Sequence, residues 1–149
     1  MKEEFMDLAF FYAKKAYEMN EVPIGAVVVK NDEVISYGFN CKERNRSVLE
    51  HAELIAIRDA ELKLENWRLD ECDLYVTLDP CPMCASAIKQ ARIKNVYSAL
   101  GNTDEHNLEL LNEIFKADST NPEVHFISNL REDSSKKILN SFFQKQRVK

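Results

Sequence analysis

The chain has 149 residues, the length of one ordinary domain, and we expect residues 1–149 to form a single domain. Its 45% hydrophobic and 30% charged residues, with only 3 Gly and 4 Pro, exclude a disordered or collagen-like chain. The net charge of −5 argues mildly against nucleic acid as a partner. Residues 131–149 carry a net charge of +4 and the preceding residues −9, so any contact with a polyanion would be confined to the C-terminal segment.

Ten segments have the residue spacing of helices or strands, with helices and strands in alternation. In chain order they are helix 3–19, strands 22–29 and 34–39, helix 51–64, strand 74–78, helix 81–91, strand 96–100, helix 105–117, strand 124–127 and helix 132–147. This order predicts an α/β fold, a three-layer α/β/α sandwich around a five-stranded mixed sheet. No apolar run approaches the ~20 residues of a membrane span. The first residues are acidic, unlike a signal peptide, and we expect a cytoplasmic protein.

Two short motifs contain the residues of a metal site. His51-Ala52-Glu53 is followed, thirty residues after the histidine, by the Cys81-x-x-Cys84 pair. One imidazole and two thiolates suit zinc, and three protein ligands leave the fourth tetrahedral position open for water, as catalytic sites require. Zinc lowers the pKa of such a water to ~7, and Glu53, close to the metal but not bound to it, could move its proton. The motifs predict a catalytic zinc centre.

Two other uses of these cysteines are possible from the residues alone. A closed structural site would take Cys72 or Cys41 as a fourth ligand. Cys72 directly precedes an apolar strand, however, where a small buried cysteine is the ordinary interpretation. A redox pair at Cys81 and Cys84 would leave His51-Ala52-Glu53 without a role. The open zinc site is therefore favoured.

The paired motif H-x-E…P-C-x-x-C is the signature of zinc deaminases, and the chain resembles the cytidine deaminase superfamily. Within it, the chain is most similar to the bacterial tRNA-specific adenosine deaminase family, whose members make inosine at the wobble position of an anticodon. The resemblance covers nearly the whole chain. The segments that carry it are Glu21–Ala26, Asn40, His51–Leu54, Asn66–Leu69, Leu74–Leu78, Pro80–Cys84, Phe142-Phe143 and Arg147.

This resemblance implies a site in which His51, Cys81 and Cys84 hold Zn²⁺ and Glu53 shuttles protons. The implied reaction is zinc-dependent hydrolytic deamination of adenosine to inosine at the wobble position of tRNA. The implied partner is the tRNA anticodon loop. A homodimer, with the second copy helping to build the site, is also implied.

The substrate contacts implied by the resemblance come from four residues. Asn40 would hydrogen-bond the nucleoside, Ile24 and Ala52 would line the base pocket, and Phe143 would contact the nucleotides beside the flipped base. Aromatic faces stack on bases, which suits Phe143. By helical spacing alone, Phe142 and Phe143 could equally be core residues.

The chain departs from the family pattern near these contacts. Gly101 stands where the family has an acidic residue, and Val48-Leu49-Glu50 replaces a Pro-Thr-Ala sequence. Gln144 and Gln146 occupy positions that are often basic. These changes leave open a deaminase of a free nucleobase or nucleoside, guanine or cytosine, which needs no phosphate contacts. A third possibility is a non-catalytic, zinc-stabilised binding module, against which Glu53 argues.

Overall fold

A computed structural model describes residues 1–101 and 105–147, and over them the chain alternates helices and strands as predicted. The elements are α1 (Glu3–Glu18), β1 (Gly25–Lys30), β2 (Glu33–Phe39), α2 (Lys42–Asn45), α3 (Ala52–Leu64), β3 (Cys72–Val76), α4 (Pro82–Ala91), β4 (Asn95–Ser98), α5 (Glu105–Phe115), β5 (His125–Ile127) and α6 (Glu132–Arg147). Within these described ranges, no helix is both long and apolar enough to cross a membrane.

Several predicted element bounds need correction, among them the ends of β3 and α5, which fall at Val76 and Phe115, two residues earlier than predicted. β1 begins at Gly25, three residues later than predicted, because Pro23 has no N–H to donate and the Ile24 N–H is bonded locally to the Val22 carbonyl oxygen. β3 begins two residues earlier than predicted, at Cys72, and β4 ends two residues earlier, at Ser98. The segment expected to be irregular contains the short helix α2.

The sheet is mixed, as predicted, with the strand order β2-β1-β3-β4-β5. β1 pairs antiparallel with both β2 and β3, while β3, β4 and β5 are parallel. The helices α4 and α5 connect the parallel strands. The carboxyl ends of β2 and β3 therefore meet the amino end of β1 at one edge of the sheet, and the two motifs follow those carboxyl ends.

Helices cover both faces of the sheet, which confirms the three-layer sandwich. On β1, Ala26 and Val28 belong to the core shared with α3 and α4, while Val27 and Val29 belong to the core formed with α1. α6 lies beside α1, where the rings of Tyr17 and Phe142 are 6.1 Å apart. Because both faces are buried, β1 is an almost unbroken apolar run.

A glycine allows α3 to approach the sheet closely. A side-chain carbon on Gly38 of β2 would overlap the carbonyl oxygen of Ala52, in the first turn of α3. The neighbouring Ser36 hydroxyl donates to the Ala56 carbonyl oxygen at 2.6 Å. The helix that begins after His51 is thus packed directly on the backbone of β2.

Candidate active site

The two motifs meet where α3 and α4 begin. His51 is the residue preceding α3, and Cys81 is the residue preceding α4, both in extended backbone conformations. Pro82 occupies the first position of α4, where its fixed φ and missing N–H suit a helix start. Cys84 follows within the first turn and is buried. Two helix N-termini therefore point their free N–H groups and positive dipole ends toward one place.

The spacing of the three ligand atoms fits zinc. For sulfur at about 2.3 Å and nitrogen at about 2.0 Å from the metal, tetrahedral angles separate these two ligands by about 3.5 Å. Here Nδ1 of His51 lies 3.7 Å from Sγ of Cys81 and 3.4 Å from Sγ of Cys84. All three ligand atoms lie within 4.8 Å of one another. The donor set and its geometry could hold a metal ion.

The alternative fourth ligands do not join this group. Among residues 1–101 and 105–147, the cluster of His, Cys, Asp and Glu atoms with metal-binding spacing consists of His51, Cys81 and Cys84. Cys72 is buried in β3, where its thiol lies 3.7 Å from the Asp70 carbonyl oxygen. This arrangement favours the open site over the closed one.

Glu53 lies in the first turn of α3, directly against the cysteines. Its side chain is only 4% exposed and lies beside the Cys84 thiol. A carboxyl group buried beside side chains that could hold a metal ion is a candidate for proton transfer. It is an oxygen donor outside the group of three ligand atoms.

Burial and hydrogen bonding shift the proton affinities of this cluster. Burial raises the pKa of Glu53 to about 7, against the lowering effect of its backbone hydrogen bond. The hydrogen bond from the Cys84 thiol lowers the pKa of Cys81 to about 5, aided by the N–H groups of Cys84 and Met83 at the start of α4. The pKa of Cys84 is raised, because its proton is held by Cys81 and its sulfur is buried. Cys81 therefore loses its proton more easily than Cys84.

Asn40, Ala52 and Ile24 form a connected wall next to the cluster. The Asn40 side-chain oxygen accepts the Ala52 N–H at 2.8 Å, and the Asn40 N–H donates to the Ile24 carbonyl oxygen at 3.2 Å. Because Oδ1 is the atom that accepts, the amide nitrogen of Asn40 keeps its two N–H donors for another partner. Asn40 therefore both anchors the start of α3 and offers donors beside the site.

Phe143 lies apart from this wall, on α6. Phe142 is buried against Tyr17, whereas Phe143 is 47% exposed. Phe143 lines a cavity of about 630 Å³ together with Leu78, Gly101 and Asn129. The two adjacent phenylalanines thus divide between core and cavity. The segment 102–104, part of the departure from the family pattern, lies outside the described residues.

Trp67 lies at the surface and not in the core. Its side chain is 55% exposed, and the guanidinium groups of Arg68 and Arg92 each lie 5.1 Å from the centre of its ring. Trp67 is held by cation–π contacts at the surface. It follows the C-terminal end of α3, and Arg92 ends α4, so this cluster lies at the ends of those helices away from the ligand cluster.

Asp79, which stands two residues before Cys81, was not among the predicted site residues. Its carboxylate is buried and accepts the Ser128 hydroxyl at 2.5 Å, and its N–H donates to the Leu100 carbonyl oxygen at 2.9 Å. The available signal was an acidic residue directly before Pro80 and the first cysteine. Its partner, 49 residues away, has no sequence signal.

A model of the MafB19-like deaminase family matches residues 1–147. The chain belongs to this family. Its matched region includes both motifs and all six helices over the described residues. The resemblance to a deaminase family that the two motifs carry is confirmed.

The proteins similar to this chain include tRNA adenosine deaminases and a guanine deaminase. The tRNA-specific adenosine deaminase of Bacillus subtilis (strain 168) is 38% identical over 148 residues, covering 99% of this chain and 91% of that protein. A solved structure from a study of A-to-I editing by tRNA:A34 deaminases is 38% identical, with a TM-score of 0.84 over 93% of this chain and 100% of that chain. The guanine deaminase of Bacillus subtilis is 31% identical, with a TM-score of 0.67 over 100% of this chain and 96% of that chain. The predicted resemblance to tRNA-specific adenosine deaminases is confirmed.

Proposed function

We propose that this chain catalyses hydrolytic deamination of adenosine to inosine at the wobble position of a tRNA anticodon. The observation that carries the proposal is the arrangement of His51, Cys81 and Cys84 at tetrahedral spacing with the buried Glu53 against them. The substrate follows from the similar proteins, whose names specify tRNA and adenosine at 38% identity over nearly the whole chain. We propose that residues 1–149 act as one deaminase domain.

We propose that His51, Cys81 and Cys84 hold a zinc ion. When bound in such a site, zinc lowers the pKa of a water molecule to about 7 and so supplies a nucleophile at neutral pH. The protein's own contribution is to fix three ligands on two helix starts and to leave one side open.

Glu53 is the proposed proton shuttle. It takes a proton from the attacking water as the water oxygen bonds to the carbon that carries the exocyclic amine. It then delivers a proton to the amine nitrogen, the carbon–nitrogen bond breaks, and ammonia leaves. Burial of Glu53 keeps bulk water from competing for the proton. The first turn of α3, packed on Gly38, keeps the carboxyl group in place.

The base is proposed to bind against Ile24, Asn40 and Ala52. The two N–H donors of Asn40 that remain after its bond to Ala52 can meet acceptors of the nucleoside. Ile24 is half-buried and can supply an apolar surface for the ring, whereas Ala52 is fully buried and would contribute by holding the Asn40 side chain in place. The exposed Phe143 and its cavity suit a neighbouring unpaired base, since aromatic faces stack on bases.

A second copy of the chain is the proposed partner in solution. Val48 and Leu49, just before His51, and Met83, inside the cysteine motif, are exposed apolar side chains on the two loops that carry the ligands. Covering them with a second copy would remove apolar surface from water and close the site. We also propose that the reaction takes place in the cytoplasm. Analytical ultracentrifugation of the wild type and of Leu49→Glu tests the dimer.

Deamination of a free base is the second candidate. The 31% identity to a guanine deaminase and the net charge of −9 over residues 1–130 favour it, because an acidic surface repels a phosphate backbone. It requires the same ligands and the same Glu53, so the metal site does not discriminate between the two substrates.

Product analysis with two sets of substrates discriminates them. The zinc-loaded protein is incubated with an anticodon stem-loop that carries a wobble adenosine and, separately, with guanine, cytosine and adenine. Mass spectrometry of the products is expected to detect inosine in the RNA and no change in the free bases. A stem-loop with guanosine at the wobble position is the matched control. Product from a free base alone would overturn the tRNA proposal.

A further inference from the structure

Asp79 connects the metal-ligand loop to the segment that precedes α6. The side chain is 6% exposed, and its Oδ1 accepts the Ser128 hydroxyl at 2.5 Å. The backbone N–H of Asp79 donates to the carbonyl oxygen of Leu100, which lies two residues after the end of β4. Residue 79 is therefore held by two separate elements before the chain reaches Cys81.

The segment 128–135 is bonded along the ends of β3 and β4. The buried Ser135 hydroxyl donates to the Thr77 carbonyl oxygen at 2.6 Å. The N–H groups of Leu130 and Arg131 donate to the carbonyl oxygens of Ser98 and Ala99 at 3.1 and 2.9 Å. The start of α6 and the loop after β3 thus share one network of hydrogen bonds.

Pro80 transmits the orientation of Asp79 to the first cysteine. Proline has a fixed φ and restricts the residue before it, so the backbone between Asp79 and Cys81 has little freedom. Rotating Asp79 would therefore redirect Cys81.

We propose that Asp79 is a positioning residue of the deaminase site, acting through Cys81. Its carboxyl group, held by Ser128, sets the direction of the Cys81–Cys84 turn and the place of that turn relative to α6, which carries Phe143. The expected effect on catalysis rests on the proposed function. The expected effect on the position of the proposed zinc ligands rests only on the hydrogen bonds.

Four variants test the proposal. Asp79→Ala and Ser128→Ala each delete the bond, whereas Asp79→Asn retains an oxygen that can accept the Ser128 hydroxyl. Asp73→Ala is the matched control, because Asp73 lies at the other end of β3 and accepts the Asn95 side-chain amide at 2.8 Å. The readouts are zinc affinity by chelator competition, the visible absorption of the cobalt-substituted protein, and kcat and KM on the anticodon stem-loop.

Asp79→Ala and Ser128→Ala are expected to weaken zinc binding by about tenfold, the lower end of the effect of removing a group bonded to a metal ligand, because this pair acts on Cys81 through the backbone. The cobalt absorption bands should move, and kcat should fall more than KM rises. Asp79→Asn should restore all three properties, and Asp73→Ala should leave them at the wild-type values. If Asp79→Ala does not fold, Ser128→Ala decides, since it deletes the same bond with Asp79 in place.

Wild-type zinc affinity and cobalt spectrum in Ser128→Ala and in every folded Asp79 variant would overturn the proposal and reduce the pair to a contribution to stability. Failure of the proposed function has a different signature. In that case the wild type would not deaminate the stem-loop, while the zinc affinity and cobalt spectrum would still separate Asp79→Ala from Asp73→Ala.

Discussion

The Asn40 side chain, which follows the edge strand β2, accepts the N–H of Ala52 at 2.8 Å in the first turn of α3. One neutral side chain thereby satisfies a free N–H at the start of the helix that carries Glu53. The same amide group has two donors left, and they lie beside the proposed base pocket. The role in holding α3 and the proposed role in binding substrate belong to different atoms of one residue.

Two substitutions of Asn40 should separate these roles. Asn40→Asp keeps an acceptor for the Ala52 N–H but removes both amide donors, so it should lose substrate binding while keeping the start of α3 bonded, with only the cost of burying its charge in the free energy of unfolding. Asn40→Ala removes the acceptor as well and should lower that free energy by about 1 kcal/mol. Urea unfolding and KM on the stem-loop measure the two effects. Equal KM values for Asn40→Asp and the wild type would contradict a substrate contact.

Glu53→Gln should stop turnover without releasing the metal. The amide has nearly the shape of the carboxyl group but cannot carry a proton between water and amine, and loss of a general acid–base group costs about 10²–10⁴-fold in rate. Zinc content, measured by atomic emission, should match the wild type because Glu53 is outside the three-ligand cluster. Full activity in Glu53→Gln would assign the proton transfer to another group.

Substitution of a proposed zinc ligand should weaken zinc binding, whereas substitution of the other cysteines should leave zinc binding unchanged. Cys84→Ser should reduce zinc affinity strongly, because the buried sulfur lies 3.4 Å from Nδ1 of His51. Cys41→Ser and Cys72→Ser are the controls, since neither sulfur belongs to the cluster. Chelator competition measures all three variants. A large loss of zinc in Cys72→Ser or Cys41→Ser would support the closed site instead.

Lys89 should contribute to the docking of α5 on α4. Its side chain is 4% exposed, and its ammonium group donates to the carbonyl oxygens of Ile114 and Lys116 at the end of α5. Lys89→Met would leave these carbonyl groups without that donor and should lower the free energy of unfolding by about 1–3 kcal/mol.

Lys94→Met is the control for Lys89→Met. Lys94 is exposed, and its ion pair with Glu71 at 3.0 Å lies at the surface, where such pairs contribute about 0–1 kcal/mol. Urea midpoints of the two variants should therefore differ clearly. Equal midpoints would mean that water replaces the ammonium group at the end of α5 without cost.

The order of elements and the cluster of three side chains that could hold a metal ion were predictable because both depend on local patterns. The apolar run around β1 and the spacing of His51, Cys81 and Cys84 can be recognised in the sequence. Pairs formed between distant segments could not be recognised. The buried Glu21 carboxylate accepts the N–H groups of Glu43 and Arg44 and so caps α2, a contact without a sequence pattern. The Asp79–Ser128 pair escaped prediction for the same reason.

Exposure was harder to predict than position. Phe142 and Phe143 both fit the apolar side of α6 by spacing, and the choice between them depends on Tyr17 of α1, which packs on Phe142. Trp67 is the largest apolar side chain, but the two arginines beside it compensate for its exposure. Both outcomes depend on neighbours that only the folded chain brings together.

Isotope labelling of the product tests the central claim most directly. The zinc-loaded protein is incubated with the wobble-adenosine stem-loop in water enriched in oxygen-18, and the RNA is digested to nucleosides for mass spectrometry. A hydrolytic deaminase that acts on this adenosine will give inosine labelled with oxygen-18 from that position alone, and Glu53→Gln will give none. Unlabelled inosine, or adenosine left intact by a fully zinc-loaded protein, would contradict hydrolytic deamination of the tRNA wobble base.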